Sequence, residues 1–394
     1  MNTIFSDRIS DVPKSFIREI LKVAVDEEVI SFAGGLPNRD LFPVQELKRA
    51  AENVFDKEGT SAMQYSNSEG SPKLRKFISD RYKLKFDLEI PVENILITSG
   101  SQQGLDLLGK AFLNEGDDII IEEPGYLGAI QAFSIYRAKF NPVKVDKEGI
   151  DLDGLVRVFN VSQPKLMYTV PNFQNPSGIS YSERNRKGVS EMVKDKDIYL
   201  IEDDPYGDLR YEGEPKSSFK QLLPSKTIML GSFSKTVVPG FRIGWIVAPN
   251  EIFEKLLIAK QASDLHTNQF AQSVLVEYLA MGDFDSHVSK IKEVYGRQRE
   301  AMIKGIEKYF PKNVEFTQPE GGMFLWVSMP ENVSSMKLFN IAIEKKVAFV
   351  PGHPFYIGKS ETNTLRLNFS NVDEETIELG IKRLGQALTV LLKK

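Results

Sequence analysis

Six apolar runs that each end in small, acidic or Pro-Gly residues constrain this chain most. They are "NILITSG" (94–100), "DDIIIEEPGY" (117–126), "KLMYTVPNFQNPSG" (165–178), "DIYLIEDDPYGD" (197–208), "TIMLGSFSK" (227–235) and "RIGWIVAP" (242–249). Between several of them lie stretches with helical spacing, such as "GLDLLGKAFL" (104–113) and "SERNRKGVSEMVKD" (182–195). Near-continuous apolar strands separated by helices imply an α/β fold with a mostly parallel sheet covered on both faces. Ligands of such sheets sit beyond the carboxyl ends of the strands. The polar signals gather at those ends: Ser99-Gly100-Ser101, Glu123 to Tyr126, Asn175, Asp203, and Ser232 to Lys235. That shared position argues for one common site.

After about residue 290 the pattern changes. A long helical stretch (287–310) precedes the strand-like runs "GGMFLWVSM" (321–329), "KVAFVPG" (346–352) and "TLRLNFS" (364–370), and the chain ends in a helical pattern. This reads as a second, smaller α+β domain.

Composition narrows the function. Acidic residues outnumber basic ones, 54 to 50, with no basic block, which argues against nucleic acid as a partner. With no cysteine, disulfides, thiolate metal sites and cysteine nucleophiles are excluded. Three scattered histidines, His266, His287 and His353, give no metal-binding pattern, so no metal site is expected. No apolar run is long enough to cross a bilayer, and "MNTIFSDRISDVPKSFIREI" lacks the apolar core of a signal peptide. A cytoplasmic protein with no membrane partner is the expectation.

Each motif has a bland reading beside the chemical one. "TSGSQQG" joins a strand to a helix, and its small residues let backbone N–H groups meet an anion; most such turns are only tight connections. "GLDLLGKA" fits the spacing of a nucleotide P-loop, but Ala111 stands where a hydroxyl is needed, and that reading is rejected. Asp203 could be a turn cap or a buried partner for a protonated ring nitrogen. Lys235, after a buried strand and among hydroxyl residues, has the setting of an amine made nucleophilic by burial. Arg242 suits an anion, although a surface ion pair is its plainer reading. Arg366, on a strand, is either an edge charge or a fork for a carboxylate.

Together, "SGSQQG", "EEPGY", "PNFQNPSG", "DDPY", "SFSKTVVPGFRIGW" and "LRLNFS" resemble the fold-type I, pyridoxal phosphate (PLP)-dependent aminotransferases of classes I and II, in the family's order from about residue 10 to the C-terminus. "ISFAGGLPNRDLFP" (30–43), "MQYSNSEGSPKLR" (63–75) and "GGMFLW" resemble the branch of 2-aminoadipate and kynurenine aminotransferases. The resemblance implies a large domain (46–290) with a mostly parallel seven-stranded sheet, a small domain (291–394), and an N-terminal arm (1–45) at the substrate entrance.

It also implies roles. Lys235 would bond covalently to PLP and Asp203 would pair with the ring nitrogen. Asn175 and Tyr206 would hold the ring hydroxyl, with Tyr126 stacked on the ring. Ser101, Gln102, Ser232, Ser234 and Arg242 would hold the phosphate. Tyr65 would reach the phosphate of a neighbouring subunit, so a homodimer is expected. Arg366 would take the substrate α-carboxylate, with Asn175 beside it, and Arg18, near Ser15, a distal carboxylate. The implied reaction is ping-pong transfer of an amino group from glutamate or 2-aminoadipate, or from aromatic or branched-chain donors admitted by Phe355 and Tyr356, to a 2-oxo acid such as 2-oxoglutarate. Gln174 and "GHPFY" depart from the family pattern. A PLP-dependent β-lyase on the same fold is the alternative. A regulator carrying a DNA-binding domain would need an N-terminal extension that the onset of the likeness does not accommodate.

Overall fold

The computed structural model describes residues 4–10, 12 and 28–393. Its large sheet is built on five mutually parallel strands: β3 (Asp118–Glu123), β4 (Lys139–Asp146), β6 (Leu166–Thr169), β7 (Tyr199–Asp203) and β8 (Thr227–Ser232). At one side β9 (Gly244–Val247) runs antiparallel to both β8 and β2 (Ile95–Thr98). At the other, β5 (Gly149–Ile150) adds a two-residue antiparallel edge to β4. The order is β2-β9-β8-β7-β6-β3-β4-β5, so the expected seven strands become eight through the short β5.

Alternation along the buried strands divides the core. Ile119, Ile121, Leu166, Tyr168, Ile228 and Leu230 enter one apolar cluster, which continues into the C-terminal part through Phe324, Leu325, Leu367 and Leu384. Met229, with Ile95 and Ile97, packs against the helices Pro72–Phe86 and Gln269–Ala280 through Leu74, Ile78, Val274 and Leu275. Ile120, Met167 and Leu200 pack against the helix Glu183–Val193. Burial on both faces explains the unbroken apolar runs that made these strands readable. β4 is mostly exposed or half-buried and holds Pro142, so it lacked that signal.

Local rules set the helix starts. Ser182 accepts from Asn185 N–H, Asp373 from Thr376 N–H, and Ser71 caps a helix whose first residue is Pro72. In the C-terminal part, β10 (Glu315–Phe316), β11 (Phe324–Ser328), β14 (Thr364–Asn368) and β13 (Val350–Pro351) form an antiparallel sheet in that order. The single run "KVAFVPG" serves two partners. β12 (Val347–Ala348) pairs with β1 (Ile30–Ser31), while β13 pairs with β14. The arm is thereby stitched to the small sheet, which brings residues 33–35 over the ends of the large one. The helix Phe284–Tyr309 runs without a break through residue 290.

Candidate active site

A cavity of about 380 Å³ opens at the carboxyl ends of β6, β7 and β8. Its walls include Ser101, Gln102, Tyr126, Asn175, Asp203 and Tyr206, then Ser232, Ser234, Lys235 and Arg242 from the end of β8 and the segment after it, and Arg366 from β14. The antiparallel run of β9 explains why Arg242 is there. Its first residue, Gly244, pairs with both Ser232 and Thr98, so the residue two positions earlier falls beside the start of the helix Ser101–Phe112.

That helix start has the shape of an anion cradle. Gly100 precedes it at φ 79°, and no side chain caps it. A Cβ on Gly100 would stand 2.5 Å from Arg242 Nη2, and one on Gly244 would stand 2.7 Å from Ser101 N. At Gly244 only glycine lets the two backbones approach, and at Gly100 the left-handed φ favours glycine; together they leave free N–H groups, the positive end of the helix dipole and a guanidinium around one point. Arg242, itself at φ 53°, donates to Pro239 O at 3.3 Å and lies 3.5 Å from Ser234 Oγ. Ser232 Oγ accepts from Ser234 N–H at 3.1 Å.

At the other end lies Asp203, 2% exposed. Its Oδ2 accepts the Tyr168 hydroxyl at 2.7 Å, while its buried Oδ1 has no partner. Burial, and then the charges of Asp204 and Glu122, push its carboxyl up to about 7, against the Tyr168 hydrogen bond. A buried carboxylate oxygen without a donor suits a protonated ring nitrogen. Lys235 Nζ donates to Gly35 O at 2.8 Å. Burial, and next the cations Arg366 and Arg242, lower its amine to about 8.

Arg366 is not an edge charge. β14 lies between β11 and β13, and the side chain is buried. It donates to Asn175 Oδ1 at 2.9 Å and Ala33 O at 2.8 Å, and its guanidinium lies 4.3 Å over the Phe324 ring. Burial lowers it to about 10. Asn175 Nδ2 approaches the Tyr206 hydroxyl at 3.4 Å. An anion cradle, an activated amine, an orphaned carboxylate oxygen and a carboxylate fork thus face one space, and they fit a phosphorylated pyridine aldehyde bound to Lys235.

Residues 27–384 match the family Aminotransferase class I and II. The chain is a class I and II aminotransferase. An aromatic-amino-acid aminotransferase 1 of Thermococcus litoralis is 41% identical over 396 residues, covering 99% of this chain and 95% of the relative. A 2-aminoadipate transaminase of Thermus thermophilus is 41% identical over 386 residues, covering 97% and 95%. A kynurenine aminotransferase of Pyrococcus horikoshii, solved in complex with PMP, KYN and KYA, superposes with a TM-score of 0.95 at 40% identity, covering 99% and 98%. The enzyme is therefore PLP-dependent and belongs with the aromatic, aminoadipate and kynurenine branch.

One expected residue of the aminotransferase stands apart from the cavity. Tyr65 is 80% exposed and meets His266 edge-on, ring centres 5.7 Å apart. Arg18, with Ser15, lies outside the described residues. Gln174, which departs from the family pattern, does not shape the pocket directly. It is buried, donates to Glu122 Oε2 at 3.0 Å and Pro124 O at 2.7 Å, and accepts from Ser177. Glu122 also accepts from Val170 N–H and the Tyr181 hydroxyl. The two residues thereby tie the loop of Asn175 to the loop of Tyr126. Tyr168, Glu122 and Phe324 were not singled out from sequence. The one available signal was a hydroxyl and a carboxylate inside apolar runs, where each needs a partner.

Among the described residues, no helix is long and apolar enough to cross a membrane.

Proposed function

We propose that this aminotransferase takes dicarboxylic L-amino acids, glutamate and 2-aminoadipate foremost and aromatic and branched-chain donors more broadly, and passes the amino group to 2-oxoglutarate. The observation that carries the α-amino-acid part of this reading is Arg366, a buried fork beside Asn175 with its Nε unpartnered, facing the same cavity as Lys235; the dicarboxylic preference rests on the sequence match at Arg18. When bound, PLP supplies an aldehyde for the amino group and a ring that withdraws electrons from the substrate Cα. Asp203 keeps the ring nitrogen protonated. Asn175 and Tyr206 would hold the ring hydroxyl, and Tyr126 would pack against the ring. Ser101, Gln102, Ser232, Ser234 and Arg242 hold the phosphate. Arg366 grips the α-carboxylate, which aims the Cα–H at Lys235 Nζ. Lys235, an amine lowered to about 8, then takes that proton and returns it as general base and acid.

The donor leaves as its 2-oxo acid before the acceptor enters, which makes the kinetics ping-pong. Arg18 on the arm meets a distal carboxylate. The chain works as a homodimer in which Tyr65 completes the neighbouring phosphate site, and it acts in the cytoplasm. The division into arm (1–45), large domain (46–290) and small domain (291–394) follows the same reading.

The test is absorbance of the PLP-loaded enzyme after adding single amino acids with no oxo acid. Glutamate or 2-aminoadipate should bleach the cofactor–lysine band and release the matching 2-oxo acid. Release of pyruvate and ammonia from a donor with a leaving group on Cβ, with no bleaching by glutamate or 2-aminoadipate, would make the enzyme a β-lyase. An Arg18→Ala variant should lose dicarboxylic donors more than aromatic ones.

A further inference from the structure

The helix Asn250–Gln261 buries a lysine that the chemistry above does not use. Lys260 has no exposed surface, and its Nζ donates to Asp264 Oδ1 at 2.9 Å, Thr267 Oγ1 at 3.0 Å and Gln103 Oε1 at 3.2 Å. A buried lysine is rare and contributes little stability over an apolar residue of its size, so its placement calls for another reason. Two of its acceptors converge on one residue. Gln103 Oε1 also accepts from Ser99 N–H at 2.8 Å, and Asp264 Oδ2 accepts from Ser99 Oγ at 3.1 Å. Ser99 is thus held by both backbone and side chain, one residue before Gly100, whose φ of 79° aims the N–H groups of the cradle.

We propose that Lys260 is a positioning residue for the cofactor phosphate: through Gln103 and Asp264 it pins Ser99, and so fixes the Ser99-Gly100-Ser101 turn. Its charge is balanced by Asp264, so the effect is geometric. Gln103 sits in the first turn of the cradle helix, so losing Lys260 frees the turn and the helix start together. Asp264 and Thr267 belong to the segment beyond the lysine's own helix, and Thr267 Oγ1 donates to Ile97 O at 3.3 Å at the end of β2. The lysine thereby joins three pieces of chain beneath the cradle without lining it.

The inference rests on the cradle being the phosphate site, and the test separates the two. PLP is titrated into wild-type protein and into Lys260→Met, Asp264→Asn and Gln103→Leu variants, following the cofactor–lysine band and the phosphorus NMR shift of the bound phosphate. Lys260→Met should weaken PLP binding on the order of ten- to a hundredfold and move the phosphorus shift. The Lys260→Met/Gln103→Leu pair should be no worse than the stronger single change, because both act on Ser99. This loss should vary little with salt, unlike that of Arg242→Gln. If Lys260→Met does not fold, the more accessible Asp264→Asn carries the same expectation. PLP affinity within twofold of wild type and an unmoved phosphorus shift in the folded variants overturn the proposal. A normal affinity for wild type that survives Arg242→Gln and Ser101→Ala overturns the cradle reading instead.

Discussion

Replacing Arg366 with methionine separates gripping the substrate from holding the fold together. Methionine fills much of the same volume beside Phe324 and Phe355 and carries no charge. The change removes the donors to Asn175 Oδ1 and Ala33 O. Each orphaned acceptor costs about 1–3 kcal/mol, and relief from burying a guanidinium offsets part of this. The thermal midpoint of the PLP-free protein should therefore move by only a few degrees. Activity should behave otherwise. Loss of a buried, charge-assisted fork costs about 2–5 kcal/mol, which is roughly a 30- to 4,000-fold fall in kcat/KM for the amino donor. A second readout follows from Lys235. Arg366 is the larger of the two cationic causes, after burial, that lower its amine to about 8, so the variant's amine should rise toward its ordinary 10.5. The rate at which PLP-free protein captures PLP grows with the neutral amine, so its pH profile should shift upward. Stopped-flow capture rates from pH 6.5 to 10, with steady-state kinetics on glutamate, measure both. A kcat/KM within threefold of wild type and an unshifted capture profile would refute the reasoning and leave Arg366 as a strap between the arm and Asn175.

Further expectations concern the same cavity. Lys235→Ala should abolish the cofactor–lysine absorbance band while leaving PLP binding through the cradle detectable by equilibrium dialysis. Asp203 and Glu122 both rise to about 7 on burial, so the folded, PLP-free protein holds more protons than the unfolded chain between about pH 4 and 7, and stability falls as pH rises through that window. Asp203→Asn should therefore melt above wild type at pH 8, with the gain fading by pH 4.5, as calorimetry on PLP-free protein would show. Gly244→Ala, whose Cβ would meet Ser101 N at 2.7 Å, should weaken PLP binding at least tenfold by absorbance titration. Glu122→Gln keeps the shape but sets amide against amide at Gln174, and should raise the KM for the amino donor through Asn175 more than it lowers kcat.

Much of this protein was written in its sequence. The strands β2, β3, β6, β7, β8 and β9 were legible because burial on both faces demands unbroken apolar runs. The cavity residues were legible because small, acidic and cationic residues at strand ends have few purely structural uses in combination. Other features depended on contacts far apart in the chain. β4 escaped because its side chains are largely exposed, and "KVAFVPG" hid two strands because pairing partners are set by docking, not by local pattern. The central place of β14 decided that Arg366 is buried and not an edge charge, and the reversed direction of β9 brought Arg242 to Gly100. Periodicity and residue type therefore set which elements form and what chemistry they carry. Only tertiary structure decided which polar atoms meet, because Glu122 with Gln174 and Lys260 with Gln103 are joined by hydrogen bonds between segments that no sequence spacing relates.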